Sequence, residues 1–177
     1  IILNTIPMKK IQFVLIVLIT ATLFISCDKT KGVAKPDDVG NYVFDFLKGL
    51  DDVTKDGYIN YLMTIEEIKA FGERNAETLD PKAKDDIDDL EKDRYEEKMG
   101  RDYNRLKEKA KKYKIAWNTI EYGDYEFEEK DEDGLKGARG TLSFKHGDQT
   151  FMTRITSVSI DGKYQLVRIG RLNKKEE

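Results

Sequence analysis

The sequence predicts an α+β fold, in which N-terminal helices pack on one face of a four-stranded antiparallel meander sheet. Three observations support this prediction. Apolar residues recur at helical spacing between residues 37 and 113. From Ile115 onward they alternate with polar residues, as they do in strands. Short turns rich in Asp and Gly separate the strand-like segments, which is typical of hairpins between antiparallel neighbours.

Three short helices are predicted at the start of the domain. Asp37 or Asp38 can cap the first, which ends near Gly49. Its apolar stripe consists of Val39, Tyr42, Val43, Phe46, Leu47 and Leu50. Residues 56–63 give a second helix, and Thr64 begins a capping box (TIEE) that opens a third.

The segment from Pro81 to Tyr113 has the composition of a long helix. Asp80 before Pro81 is a strong helix start. One continuous helix would run about 50 Å, which exceeds the width of a compact domain of this size. We therefore expect a bend or break near Gly100. The part before it has few apolar residues, so it is predicted to be a solvated face or a mobile hairpin arm.

Four strands are predicted after the helices. The first starts at Ile115 and Trp117 and continues through Tyr125, with a bulge or bend at Gly123. The second strand is centred on Leu142 and Phe144. The third runs from Gln149 to Ile160, and the fourth runs from Lys163 to Leu172. The segments His146-Gly147-Asp148 and Asp161-Gly162 form the turns.

The last turn fixes which arginines share a face of the sheet. A two-residue turn pairs Ile160 with Lys163 and places Arg154 and Arg168 on opposite faces. A three-residue loop would instead place these arginines directly across from each other, and like charges in opposed positions destabilise an antiparallel pair. The two-residue turn is therefore favoured, unless an anionic ligand is held by both arginines beside Tyr164.

The N-terminal stretch has the organisation of a signal peptide. Lys9 and Lys10 precede an apolar run from Ile11 to Ile25, which is shorter than the roughly 20 residues of a membrane-spanning helix. Residues 1–26 are therefore predicted to be a signal peptide, with Met8 as the true start.

The residues Ser26-Cys27 resemble the end of a bacterial lipoprotein lipobox, although Phe24 occupies the place where that family usually has leucine. The resemblance implies that Cys27 is acylated and anchors the protein in the cell envelope, on a side that the sequence leaves open. Cys27 is the only cysteine, so no internal disulfide is available. The alternative is an uncleaved helix that ends in a buried thiol. Residues 27–36 then form a lipid anchor and flexible tether, and residues 37–177 form one domain.

The ending from Ile160 to Ile169 (IDGKYQLVRI), together with the order of elements, resembles the cystatin-like and nuclear-transport-factor-2-like α+β cone. The resemblance covers residues 37–172. That family contains small-molecule binders, isomerases, dehydratases and many lipoproteins, so it implies a fold and leaves function to the site residues.

Composition and motifs exclude several function classes. The net charge of −3 argues against nucleic-acid binding. His146 is the only histidine and lies in a turn, so Ser-His and multi-histidine metal sites are not available. The acidic run from residue 126 to 133 begins like a calcium loop at Glu129, but the twelfth position is Gly140 rather than glutamate. We expect a solvated loop there, and no cofactor motif is found.

Two hypotheses about function remain. The favoured one is a binding module whose concave sheet face holds a small ligand or a protein partner. The alternative is an isomerase- or dehydratase-like enzyme that uses a pocket carboxylate, such as Asp124 between two tyrosines. The candidate pocket residues are Trp117, Tyr122, Asp124, Arg154, Tyr164 and Arg168.

Overall fold

A computed structural model describes residues 31–132 and 134–175. These residues form five α-helices followed by four strands. The helices are α1 (Asp38–Lys48), α2 (Lys55–Tyr61), α3 (Ile65–Arg74), α4 (Pro81–Asp88) and α5 (Lys92–Tyr113), with short 3-10 helices at Leu50–Asp52 and Trp117–Thr119. The strands are β1 (Glu121–Glu132), β2 (Leu135–His146), β3 (Gln149–Ile160) and β4 (Lys163–Lys174), antiparallel in the order β1-β2-β3-β4. The predicted α+β class, with helices on one face of a four-stranded meander, is confirmed. The predicted signal peptide and Cys27 lie outside the described residues.

The predicted helix starts at Thr64 and Asp80 are confirmed by their capping contacts, whereas Asp37 at the start of α1 forms no side-chain capping hydrogen bond. The Thr64 side chain accepts a hydrogen bond from the Glu67 amide, and the Glu67 side chain accepts one from the Thr64 amide, which completes the capping box. Asp80 accepts from the Lys82 amide just before Pro81. These contacts satisfy backbone donors that have no partner inside the helix.

The prediction of a break at Gly100 is wrong. The chain leaves the helical path between Asp88 and Lys92, and α5 continues through Gly100 without interruption. A Cβ at Gly100 would lie 3.2 Å from Cδ of Lys55, so the absence of a side chain lets α2 approach α5. The expected solvated face is confirmed, because most charged residues between Pro81 and Lys98 are exposed, while Ile87 on the other face is buried in a small apolar cluster.

The start of the first strand was also predicted wrongly. Lys114 ends α5 in the left-handed conformation, with φ 53°, and Trp117 then begins a 3-10 turn instead of a strand. The ring of Trp117 is buried against Phe144, with ring centroids 5.8 Å apart. The predicted bulge at Gly123 is confirmed, since the register shifts on either side of it.

The acidic run predicted to be a loop belongs to a strand. Residues 126–132 pair with β2 along the whole β1 ladder, which extends to the pair Glu132 and Leu135. Glu129 and Asp131 are exposed strand residues, whereas Asp133 of the calcium-like pattern lies outside the described residues. No group of three or more His, Cys, Asp or Glu residues in the described part is arranged to hold a metal ion.

The main core lies between the helices and one face of the sheet. Its largest fully buried members are Trp117, Tyr58, Phe144, Phe151, Leu47, Leu50, Leu62, Leu106, Leu142, Ile155, Leu166 and Ile169. A smaller cluster of Met63, Phe71, Leu79, Ile87 and Ile160 packs α3 and α4 near the β3–β4 turn. Burial of these apolar side chains is the main stabilising contribution of the fold.

The outer edge of β4 is covered by the helical layer and by the residues that precede α1. The Val33 amide donates to the Tyr164 carbonyl at 3.1 Å, and the Tyr164 amide donates back at 2.7 Å. Nζ of Lys31 donates to the Leu62 carbonyl and to Glu67. Residues 31–36, which the sequence assigned to a flexible tether, are therefore part of the folded unit, which begins at Lys31.

Candidate ligand-binding groove

Two bulges in β4 decide which side chains share the open face of the sheet. The two-residue turn is confirmed, because Ile160 pairs with Lys163 and both turn residues have positive φ. The register then shifts, so that Ser157 pairs with Leu166 but Thr156 pairs with Arg168. The prediction that Arg154 and Arg168 lie on opposite faces is therefore wrong, because the extra residue at the bulge returns Arg168 to the face of Thr156.

The second bulge places another arginine opposite Arg154. Ile155 pairs with Ile169 and Thr153 with Leu172, which leaves Arg154 facing Gly170 and Arg171 together. A Cβ at Gly170 would lie 3.1 Å from the Arg154 carbonyl and 3.3 Å from its Cβ. Glycine at this position therefore gives the Arg154 side chain the room that it occupies.

The open face forms a groove of about 1030 Å³ that crosses all four strands. One row across the sheet contains Glu126, Thr141 and Arg154, and the adjacent row contains Glu128, Arg139, Thr156 and Arg168. The short side chains of the two threonines, together with Gly140 and Gly170, lie between longer charged ones. This volume is at the upper end of the range for small-molecule pockets, roughly 300–1,000 Å³.

Charge is distributed unevenly across the groove. Glu126 and Glu128 stand on β1, whereas Arg154 and Arg171 stand on β3 and β4. Glu128 is paired with Lys130 at 2.9 Å. Arg154, Arg171 and Glu126 form no ion pair with any residue that the structure describes. The groove therefore presents one carboxylate without an ion pair, that of Glu126 on β1, and two guanidinium groups without one, those of Arg154 on β3 and Arg171 on β4, among the residues that the structure describes.

Arg168 has a different role from its neighbours in the groove. Its Nε donates to Oδ2 of Asp102 at 2.8 Å, and its Nη2 donates to Oδ1 at 3.2 Å. Asp102 lies on α5 and is only 4% exposed. The hydrogen bond to Asp102 raises the pKa of Arg168, so this guanidinium stays charged and attached to the helix.

The six residues of the predicted pocket do not form one site. Trp117 is in the core and 1% exposed. Tyr122 packs edge-on against Phe44, with ring centroids 5.3 Å apart. Asp124 is an exposed carboxylate that accepts from the Tyr125 amide. Among the six, Arg154 and Arg168 line the groove.

Tyr164 lies on the helix side of the sheet and does not line the groove. Its hydroxyl donates to Oε2 of Glu129 on β1 at 2.8 Å, and this contact raises the pKa of Tyr164. The two edge strands are thus linked on the helix side of the sheet, where core side chains fill the face that the sequence assigned to a ligand.

Glu126, Thr141 and Arg171 were missed as groove residues. The strands that carry them were predicted, but the position of Arg171 opposite Arg154 depends on a bulge in β4 that no turn motif marks. His146, which was predicted to lie in a turn, ends β2 and accepts a hydrogen bond from the Ala116 amide at 3.3 Å.

No protein-family model, curated protein or solved structure matches the chain. The resemblances to bacterial lipoproteins and to the cystatin-like cone therefore remain predictions. In the part of the chain that the structure describes, the helices are too short or too polar to span a membrane.

Proposed function

We propose that the protein is a lipid-anchored binding module of the cell envelope, and that its groove binds the anionic group of a small soluble ligand. The observation that carries the proposal is the position of Arg154 opposite Arg171, neither of which has an ion-pair partner among the described residues. Like charges in opposed positions destabilise a sheet. A carboxylate or phosphate between the two guanidinium groups removes that repulsion.

The chemistry of the groove supports this choice of ligand. A guanidinium group presents several N–H donors in a plane and binds carboxylate or phosphate oxygens in pairs. Arg154 projects from a strand whose alternate residues are buried in the core, so its backbone position is fixed. Thr141 and Thr156 add hydroxyl groups at the floor.

The anchor follows from the N-terminal sequence. Lys9, Lys10 and the apolar run have the order of a signal peptide, and Cys27 stands where lipoproteins carry their acylated cysteine. A lipid on Cys27 would hold the domain at a membrane surface, with a second interaction needed for stable attachment if only one acyl chain is present.

Anion binding is tested by NMR titration of the full chain in a non-ionic detergent, with inorganic phosphate and with acetate at low ionic strength. We expect saturable shifts at the Thr141 and Gly170 amides, and a loss of binding of about tenfold in Arg154→Gln and in Arg171→Gln. Arg94→Gln, which changes an exposed arginine on α5, is the matched control. The proposal fails if the groove amides do not shift, if Arg94→Gln weakens binding equally, or if only anionic vesicles bind.

The anchor is tested separately by mass spectrometry and detergent partition. The chain expressed with its first 30 residues should carry the added lipid mass and enter the detergent phase, while Cys27→Ser should remain an unprocessed precursor. Unlipidated protein that is cleaved at another site would contradict the anchor and leave the groove proposal unaffected.

A further inference from the structure

The acidic side of the groove points to a second charge on the ligand, an inference that rests on the proposed anion site. Glu126 on β1 is exposed, lines the groove and has no ion-pair partner among the described residues. We infer that the ligand is a zwitterion of about tripeptide length, whose carboxylate binds Arg154 and whose ammonium group binds Glu126.

The register sets the distance between the backbones of the two charged residues. Glu126 pairs with Thr141, and Thr141 pairs with Arg154, so the two charged residues stand in one row with one strand between them. Two strand spacings separate their backbones by about 10 Å. A chain of three residues spans about the same distance when it is extended.

Thr141 leaves the space between the two charges open. Glutamate and arginine have side chains long enough to meet across a threonine, yet they form no salt bridge in this structure. An exposed pair of this kind contributes little to folding stability, about 0–1 kcal/mol. The groove therefore presents two separated charges that a ligand with both signs matches at once.

The acidic side also disfavours ligands that carry only negative charge. A polyanion long enough to extend from Arg154 toward β1 would meet the carboxylate of Glu126, and like charges placed together disfavour the wrong partner. The arrangement thus selects a ligand with one anionic end and one cationic end, and a tripeptide with free termini is a molecule of that kind and of the required length.

The test compares triglycine with N-acetyltriglycine, which keeps the carboxylate and lacks the ammonium group. Both are titrated into the full chain in a non-ionic detergent, with the groove amides of Thr141 and Gly170 as readouts. We expect triglycine to bind about fivefold more tightly than its acetylated form, as one additional exposed ion pair allows. In Glu126→Gln the two peptides should bind equally, whereas Glu121→Gln, an exposed β1 residue outside the groove, should keep the difference.

The possible outcomes distinguish a failure of this inference from a failure of the proposed anion site on which it rests. If N-acetyltriglycine binds and Arg154→Gln abolishes that binding, but triglycine gains nothing from its ammonium group, the zwitterion inference is wrong and the anion site stands. If the gain persists in Glu126→Gln, the assignment of the cationic end to Glu126 is wrong. If neither peptide shifts a groove amide, both proposals are overturned.

Discussion

Arg168 on β4 binds the buried carboxylate of Asp102 on α5 through two hydrogen bonds, of 2.8 and 3.2 Å. This contact joins α5, the longest helix in the described part of the chain, to the edge strand β4. It also distinguishes Arg168, which is held by the fold, from Arg154 and Arg171, two other groove arginines that have no ion pair with described residues.

The two partners of this ion pair should differ in their effect on stability. Asp102 is buried and Arg168 is partly exposed, with side chains 3% and 41% accessible. Arg168→Met leaves a buried carboxylate whose remaining cationic neighbour is Arg105, at 3.6 Å, so we expect it to lower the free energy of unfolding by about 3 kcal/mol. Asp102→Asn leaves a guanidinium that can turn toward water, and we expect a loss of about 1 kcal/mol. Urea unfolding of both variants measures the difference.

The reverse order would contradict this account of the pair. Arg154→Met is the matched control, because it removes a groove arginine that has no ion pair with described residues. Its unfolding free energy should stay within about 0.5 kcal/mol of that of the unchanged chain.

Features that depend on neighbouring residues were predicted correctly from the sequence. Features that depend on contacts with residues far along the chain were not. The capping box at Thr64 and the turn at Asp161-Gly162 are set by neighbouring residues, and both were predicted correctly. The break before Lys92 was missed because it depends on which core each end of the segment enters, with Ile87 in the small cluster and Tyr95 in the main one. Gly100 is visible in the sequence as a possible helix break, but in the structure its missing side chain leaves room for Lys55.

The groove was only partly predictable for a related reason. The arginines of β3 and β4 are visible in the sequence, and alternation places each on one face of its own strand. A bulge changes that assignment for every residue after it, and β4 has two. The small residue that marks the second bulge, Gly170, is understood only once Arg154 is seen opposite it.

Replacement of Gly40 by alanine should lower the stability of the protein, whereas the same replacement of an ordinary helical glycine raises it. Replacing glycine by alanine inside an exposed helix usually stabilises it by about 1 kcal/mol. A Cβ at Gly40 of α1 would lie 2.4 Å from Cβ of Tyr125, so the helix and β1 must move apart. We therefore expect Gly40→Ala to lower the free energy of unfolding by about 1–3 kcal/mol, measured by thermal or urea unfolding.

Gly49 provides the matched control at the end of the same helix. Its φ is −94°, and the nearest atom to an added Cβ is the Phe46 carbonyl at 3.8 Å. Gly49→Ala should change the stability by no more than about 0.5 kcal/mol. Equal effects at the two positions would show that α1 does not contact Tyr125 as closely as described.

Residues 31–33 should contribute measurably to the stability of the domain. A chain that begins at Ala34 lacks the two backbone hydrogen bonds between Val33 and Tyr164 and the contacts of Lys31. Compared with a chain that begins at Lys31, we expect it to be less stable by about 1–3 kcal/mol. The Tyr164 amide should also exchange faster with deuterium. Equal stability and equal exchange would place these residues in the tether instead of the fold.

Two buried tyrosines should respond oppositely to loss of the hydroxyl group. The Tyr95 hydroxyl donates to the Met63 carbonyl at 2.6 Å, so Tyr95→Phe leaves that carbonyl without this donor and should cost about 1–2 kcal/mol. The Tyr125 hydroxyl is buried and has no hydrogen-bond partner among the described residues. Tyr125→Phe removes a polar group that burial disfavours, so it should be neutral or stabilise the protein by up to about 1 kcal/mol at pH 7.

The same two residues make the stability fall at alkaline pH. Burial raises the pKa of Tyr95 and of Tyr125 to about 12, whereas an unfolded tyrosine titrates near pH 10. Between about pH 10 and 12 the unfolded chain has lost protons that the folded protein keeps, so the free energy of unfolding decreases as the pH rises. Below about pH 9 neither state has lost these protons, so the two tyrosines contribute no pH dependence to the stability.

In Tyr125→Phe the alkaline slope should be shallower by up to one proton, or about 1.4 kcal/mol per pH unit. Urea unfolding at a series of pH values measures the slope, and an unchanged slope in this variant would mean that Tyr125 titrates in the folded protein as it does in the unfolded chain.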